Sequence, residues 1–273
     1  MRMKSTTWRK NLYENHGLPD NYTDYTFLEE LRKNIKPNNV TAKEAITLGA
    51  SISIQLSVVI LFVIVFVWLN NQWTTPNIIF MSSSILTMVG YFLYTVNMPD
   101  MSDRLSKDLQ TVLIFVAFGY ILSPVLKTLT DTVSTDTIYA MAIFMFFVHL
   151  IFSKYGSPQE SLSDSLSITS SIFGSLMLAS RLASPLHAFS LLTVAVQCFV
   201  LLPFLLSQLD HKVVIAISLA VGTTYLLVEI SSILCIVFVG VTIFVHIVCP
   251  LWYIRWQKFK ENIYGPWDEA VIS

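Results

Sequence analysis

Fifteen of the seventeen Lys and Arg residues fall on one side of the chain when its apolar stretches are read as eight membrane crossings. Cytosolic loops retain positive charge, so this asymmetry predicts an all-α, polytopic membrane bundle with both termini in the cytosol. The spans are placed at Ala45–Leu69, Asn77–Val96, Leu109–Leu126, Thr135–Phe152, Ser165–Ala179, Leu186–Leu206, Val213–Val228 and Ile230–Tyr253. The run from Val213 to Tyr253 is interrupted by a single acid, Glu229. At about 1.5 Å per residue it is roughly twice the bilayer thickness, so two crossings with a tight turn at Glu229, Ser231 and Ser232 fit better than one. Only Lys127 and Arg181 then lie on the far side, whereas seven crossings would move the three cations of the tail across as well. The organisation is a cytosolic arm (1–44), a membrane domain (45–254) and a cytosolic tail (255–273).

Composition agrees, because 54% hydrophobic and 13% charged residues cannot solvate a globular surface of this size. A net charge of −1 gives no nucleic-acid signature. Cys198, Cys235 and Cys249 lie in or beside spans as small packing residues; no disulfide framework, metal spacing or cofactor is expected. The first forty residues hold no apolar run of signal-peptide type, so the arm is expected to be retained. Within it Phe27, Leu28, Leu31 and Ile35 share one helical face. Thr26 and Glu29 have capping-box spacing and Pro37 is a stop, which predicts a short amphipathic helix that lies in the interface, docks on a partner or packs on the protein's own loops.

The fifth span is the least apolar. Ser171, Ser175 and Ala179 recur every four residues, as do Ser170 and Gly174, and such small faces let helix backbones approach closely. An interior helix is expected there. The densest chemistry lies between spans three and four, where Ser123-Pro-Val-Leu-Lys-Thr-Leu-Thr-Asp-Thr-Val-Ser-Thr-Asp-Thr-Ile-Tyr139 combines a helix-bending Pro124 with Lys127, Asp131 and Asp136. Asp136 or Thr135 is expected to cap the fourth helix. The ordinary reading is a capped turn with Lys127 snorkelling to the interface; the sharper one is a lipid head-group or partner site. Arg181 poses the same question, with His187 six residues on, because a cation at the end of a serine-rich span implies a partner or an anionic ligand. His149, Glu229 and His246 read as interhelical hydrogen-bonding groups.

Motifs for self-sufficient catalysis are not found: there is no Gly-x-Ser-x-Gly elbow, His-Glu-x-x-His or phosphate-binding Gly loop. Glu261 and Glu269 have the spacing of an acidic pair in some retaining glycosyltransferases. That pair requires a nucleotide-sugar domain of well over about 100 residues, far beyond this tail.

The tail Lys260-Glu-Asn-Ile-Tyr-Gly-Pro-Trp-Asp-Glu-Ala270 resembles the C-terminal signature of the PIG-C family, the C subunits of phosphatidylinositol N-acetylglucosaminyltransferase. Similar stretches follow the family's order: Pro19-Asp-Asn-Tyr22, Phe27-Leu-Glu-Glu-Leu-Arg-Lys-Asn-Ile35, Ser123–Thr130, Ser134–Met141, Ala179-Ser-Arg-Leu182 and Leu186-His-Ala-Phe189. The resemblance implies a non-catalytic, multi-pass subunit of the endoplasmic reticulum complex that begins glycosylphosphatidylinositol anchor synthesis. That complex transfers N-acetylglucosamine from UDP-GlcNAc to phosphatidylinositol, with catalysis assigned to PIG-A. The implied partners are PIG-A, PIG-H, PIG-P, PIG-Q, PIG-Y and the small regulatory subunit of dolichol-phosphate-mannose synthase.

A polytopic bundle holding the lipid acceptor near a catalytic domain fits such a role. Lys127, Asp131, Asp136, Arg181 and His187 are its candidate lipid- or partner-binding residues. Phe27, Leu31, Trp267, Asp268 and Glu269 are candidate cytosolic docking residues. Two other classes remain open: a lipid transporter or scramblase, and a lipid-modifying enzyme with its own site around Lys127, Asp131 and Asp136.

The sequons Asn21-Tyr-Thr23 and Asn39-Val-Thr41 test the orientation, because both lie in the arm that the charge pattern keeps in the cytosol. Neither is expected to carry glycan in cells; glycosidase-sensitive sugar on Asn21 or Asn39 would reverse the orientation.

Overall fold

The computed structural model describes residues 32–33, 40–95, 101–129, 132–155, 162–207, 209, 211–260 and 263–264. They divide into a membrane unit, Ala42–Trp252, and a second unit made of the arm up to Thr41 and the chain from Tyr253 onward. The helices are α1 (Ala42–Asn70), α2 (Pro76–Thr95), α3 (Met101–Leu129), α4 (Thr135–Phe152) and α5 (Leu162–Ala179), followed by three more. In α6, Pro185–Val196 continues through a π turn (Gln197–Leu201) into Leu202–Ser207. Next come α7 (Lys212–Ile230) and α8, in which Ser232–Ile243 runs through a second π turn (Phe244–Val248) into Cys249–Gln257.

All eight expected spans coincide with helices. The long apolar run breaks at Ser231, whose extended backbone ends α7 and begins α8. Six helices are long and apolar enough to cross a bilayer: α1, α2, α4, α6, α7 and α8. α3 carries a shorter apolar stretch, Gln110–Val125. α5 falls below the hydropathy of a lipid-facing span because it faces protein.

Ser170, Ser171, Ser175 and Ala179 of α5 are buried. A Cβ on Gly174 would lie 3.3 Å from Met145 Cβ and 3.4 Å from the Ala142 carbonyl, so α4 and α5 meet backbone to backbone, as the small faces predicted. Their hydroxyls turn back on the helix: Ser171 Oγ donates to Ile168 O at 2.8 Å and Ser175 Oγ to Ser171 O at 2.7 Å. These hydroxyls are thereby satisfied within their own helix.

One polar pair crosses it, because His149 Nδ1 lies 3.0 Å from Ser167 O and 2.9 Å from Ser167 Oγ. The loop end of the hairpin is tied by Lys154 and Asp164 at 3.5 Å and by Tyr155 Oη donating to Leu150 O. Burial pushes the Tyr155 phenol up to about 12, against a smaller opposing effect of a Ser153 hydrogen bond, so it remains a donor.

The core is aromatic. Phe62 of α1, Phe146 of α4 and Phe199 of α6 meet with centroids 5.3–5.8 Å apart, and His149 stacks edge-on against Phe199 at 5.1 Å. Such pairs add about 0.5–1.5 kcal/mol each beyond area burial. On another face, α1 packs on α7 and on the π turn of α8. Gly49 permits the latter approach, since a Cβ there would sit 3.0 Å from Val245 O and 3.2 Å from Pro250 Cγ.

The second unit corrects one expectation. Arg32 and Lys33, placed by the sequence inside an amphipathic helix, form a two-residue strand, β1, antiparallel to β2 (Ile263–Tyr264). A helix of about ten residues does not repay its nucleation in water, and the tail offers backbone partners instead.

Gly49→Leu is expected to destabilise the bundle by about 1–3 kcal/mol through overpacking against the α8 backbone. Gly240→Leu, where a Cβ meets nothing within 4 Å, is expected to be near neutral. Thermal unfolding of the purified protein in detergent compares the two, and equal midpoints would contradict the close α1–α8 approach.

Candidate functional site

The α3–α4 and α5–α6 turns meet at the end of the bundle away from the basic loops. Arg181, just beyond α5, reaches back to the turn before α4, where its Nη2 donates to Val133 O at 2.9 Å. Ser123 of α3 donates to Pro185 O at the start of α6. Ser190 Oγ of α6 shares its proton between Leu186 O in its own helix, at 2.9 Å, and Pro76 O at the start of α2, at 3.1 Å. Three donors thus tie the ends of five helices together: Val133 O is a turn carbonyl, while Pro185 O and Pro76 O, at helix starts, accept through a second lone pair.

The caps refine this picture. Ser134, not Thr135 or Asp136, caps α4: its backbone is extended, and Thr137 N donates to its Oγ at 3.4 Å. Asp136 sits instead in the first turn, exposed, where a carboxylate favourably meets the helix dipole. Ser184 caps α6, with Pro185 at the first helical position. His187 N donates to Ser184 Oγ at 3.5 Å, and that hydroxyl lies 2.7 Å from His187 Nδ1. His187 thus completes a local cap, its ring and its backbone N–H both meeting the Ser184 hydroxyl.

The structure therefore brings Arg181 and the turn before Asp136 together, with His187 one cap away. Lys127 lies in the last turn of α3, and Pro124 falls inside the helix near its end. Asp131, Phe27, Leu31, Trp267, Asp268 and Glu269 lie outside the described residues. Among the described residues, no group of three or more His, Cys, Asp or Glu is placed to hold a metal.

This arrangement concentrates positive potential, through one guanidinium and the N-termini of α4 and α6, but its hydrogen bonds run within the protein. Chemically it is a clasp. Ser190 was missed by sequence reading, since a serine in an apolar helix carries no sign of a partner elsewhere. Ser123 carried one, a position beside a mid-helix proline.

On the side of the basic loops the geometry differs. Tyr91 Oη, near the end of α2, donates to Asp108 Oδ2 in α3 at 2.8 Å, and Asp108 is exposed. This is a polar bridge at the membrane boundary between two helices that otherwise touch little.

A family model described as phosphatidylinositol N-acetylglucosaminyltransferase matches residues 8–268. The chain is 40% identical to the C subunit of phosphatidylinositol N-acetylglucosaminyltransferase from Bos taurus, across 99% of this chain and 94% of that protein. It is 38% identical to the Homo sapiens counterpart over the same shares. It is 24% identical to the GPI2 subunit of the same enzyme in Saccharomyces cerevisiae, across 97% of this chain and 98% of that protein. No solved structure matches.

Arg181→Leu is expected to cost about 1.5–3 kcal/mol, the range for a hydrogen bond to a charged group, by freeing the turn before α4. Arg181→Lys should recover part of this, since one donor suffices for one carbonyl. Thermal stability of the purified protein reads both, and a wild-type midpoint for Arg181→Leu would remove the clasp from the account.

Proposed function

The chain belongs to the phosphatidylinositol N-acetylglucosaminyltransferase family, and from that membership we propose that it is a non-catalytic membrane subunit of the complex that makes N-acetylglucosaminyl-phosphatidylinositol, the first step of glycosylphosphatidylinositol anchor synthesis. The observation that carries this is the match to the mammalian C subunits along nearly the whole chain, which leaves little of either protein unaligned.

The helical architecture supports a supporting rather than a chemical role. Helices occupy most of the chain between Ala42 and Gln257. Transfer from a water-soluble nucleotide sugar requires a folded domain that binds it, typically of about 50–250 residues. The bundle contributes what such a domain lacks, a rigid intramembrane frame that holds a lipid acceptor at the interface and converts its encounter into a local one. The proposed partners are PIG-A as catalytic subunit, with PIG-H, PIG-P, PIG-Q, PIG-Y and the dolichol-phosphate-mannose synthase regulatory subunit. The proposed site is the endoplasmic reticulum membrane, with the paired arm and tail in the cytosol. Trp267, Asp268, Glu269, Phe27 and Leu31 are the proposed docking residues there.

Membranes lacking this chain are expected to lose N-acetylglucosaminyl-phosphatidylinositol synthesis, and the purified chain alone should be inactive with UDP-GlcNAc. Turnover by a preparation free of PIG-A would overturn the non-catalytic assignment. Undiminished synthesis without the chain would overturn the subunit role.

A further inference from the structure

α8 is longer than the hydrocarbon it crosses. From Ser232 to Gln257 it has 26 residues, which at about 1.5 Å each make roughly 39 Å against a hydrocarbon core of roughly 30 Å. It starts at the polar Ser231–Ser232 turn, away from the basic loops, so the excess of about 9 Å falls at its C-terminal end. With both headgroup layers included a bilayer is about 40–45 Å thick, so this excess is comparable to one headgroup layer on the side of the basic loops.

The residues at that level suit it. Tyr253, Trp256 and Phe259 are 49%, 60% and 67% exposed, and Arg255, Lys258 and Lys260 beside them are exposed as well. The Trp256 and Phe259 rings lie 5.9 Å apart between centroids, and Lys258 Nζ sits 5.1 Å from the centre of the Phe259 ring. The turn after the helix supports this arrangement, because Phe259 N donates to Trp256 O at 3.0 Å and Lys260 N to Gln257 O at 3.1 Å. The two rings thus form an exposed apolar ridge with an ammonium group held against it.

Charge decides what covers the ridge. No Asp or Glu occurs between Glu229 and Glu261, whereas Lys154 of the α4–α5 loop has its own acid in Asp164 at 3.5 Å. Hydrocarbon does not accept guanidinium and ammonium groups, and a protein interface that covered the rings would have to bring carboxylates to Arg255 and Lys258. A headgroup layer containing anionic phospholipid supplies both needs at once: an amphipathic zone in which Trp and Tyr rings settle, and phosphates for the cations.

We propose that Tyr253–Lys260 is an anchor for the anionic phospholipids of the surrounding leaflet, with its rings in the headgroup layer and Arg255 and Lys258 on lipid phosphates. Ile263, which pairs with Lys33, follows Lys260 by three residues, so the anchor holds the β1–β2 pair within about 10 Å of the lipid surface. The anchor goes beyond the subunit role above and does not depend on it.

The test uses the full-length chain in its purified complex, in phosphatidylcholine nanodiscs with a minor fraction of phosphatidylserine that carries a photoreactive group near the glycerol. Label at 253–260 should be about fivefold above that from an equal fraction of a phosphatidylcholine probe, the effect expected of one surface cation. A phosphatidylinositol probe should match phosphatidylserine, since the contacts are with charge. Arg255→Gln combined with Lys258→Gln should bring the anionic and neutral probes level, and so should about 1 M salt, where the screening length falls to about 3 Å. Subunit pulldown by the double variant should stay at the wild-type level. Equal labelling by phosphatidylserine and phosphatidylcholine in the wild type would overturn the proposal, and a preference for phosphatidylinositol over phosphatidylserine would replace a leaflet anchor by an acceptor site. Loss of other subunits from the double variant, or a photoreactive residue at Phe259 that captures another subunit in place of lipid, would make the ridge a protein interface and equally overturn it.

Discussion

In hydrocarbon every backbone polar group must find its partner inside the protein, and the rest of this structure depends on that constraint. It makes the chain helical, then acts on the side chains. Ser57 donates to Ser53 O at 2.9 Å, Thr223 to Leu219 O at 2.7 Å and Thr242 to Phe238 O at 2.8 Å. Each hydroxyl closed onto its own helix becomes a small, nearly apolar bump. The serines of α5 therefore act as packing residues, and α5 sits inside the bundle although its hydropathy is below that of its neighbours.

Packing is unevenly distributed as a result. α1, α4, α5 and α6 interlock through Phe62, Phe146 and Phe199 and through the Gly174 contact, while α2 and α3 lean on α6 from outside. A tightly interdigitated core resists deformation. The outer pair is held at its ends by Phe80, Phe189, Tyr120, Tyr91 and Asp108. The two π turns, at Gln197–Leu201 and Phe244–Val248, fall where α6 carries Phe199 into the core and where α8 meets Gly49, so both irregular turns lie at close helix contacts.

The two ends of the bundle carry different chemistry. Away from the basic loops, Arg181, Ser123 and Ser190 satisfy turn and helix-start carbonyls, and Ser134 and Ser184 cap helices, so polar capacity is directed inward. Toward the basic loops, Asp108 is exposed and the cations of the sequence are concentrated. A complex that acts on a membrane lipid from the cytosol would use the second end.

Charge asymmetry and apolar run length determined the helical class, the positions of the eight helices and the break near Ser231. Small-residue spacing determined that α5 is interior, because both signals are local and repeat along the chain. The tail string Lys260–Ala270 and its companions were specific enough to indicate the family before any fold was seen. Tertiary structure decided the rest. Arg181 with Val133, Ser123 with Pro185 and Ser190 with Pro76 join residues 48, 62 and 114 positions apart, and no local periodicity encodes such pairs. It likewise decided that Arg32 and Lys33 pair with the tail instead of forming a helix, since a weak local preference yields to backbone partners from the other end of the chain. It also separated α2 from α3, because how closely two apolar helices approach depends on the third helix they share, and hydropathy is blind to that.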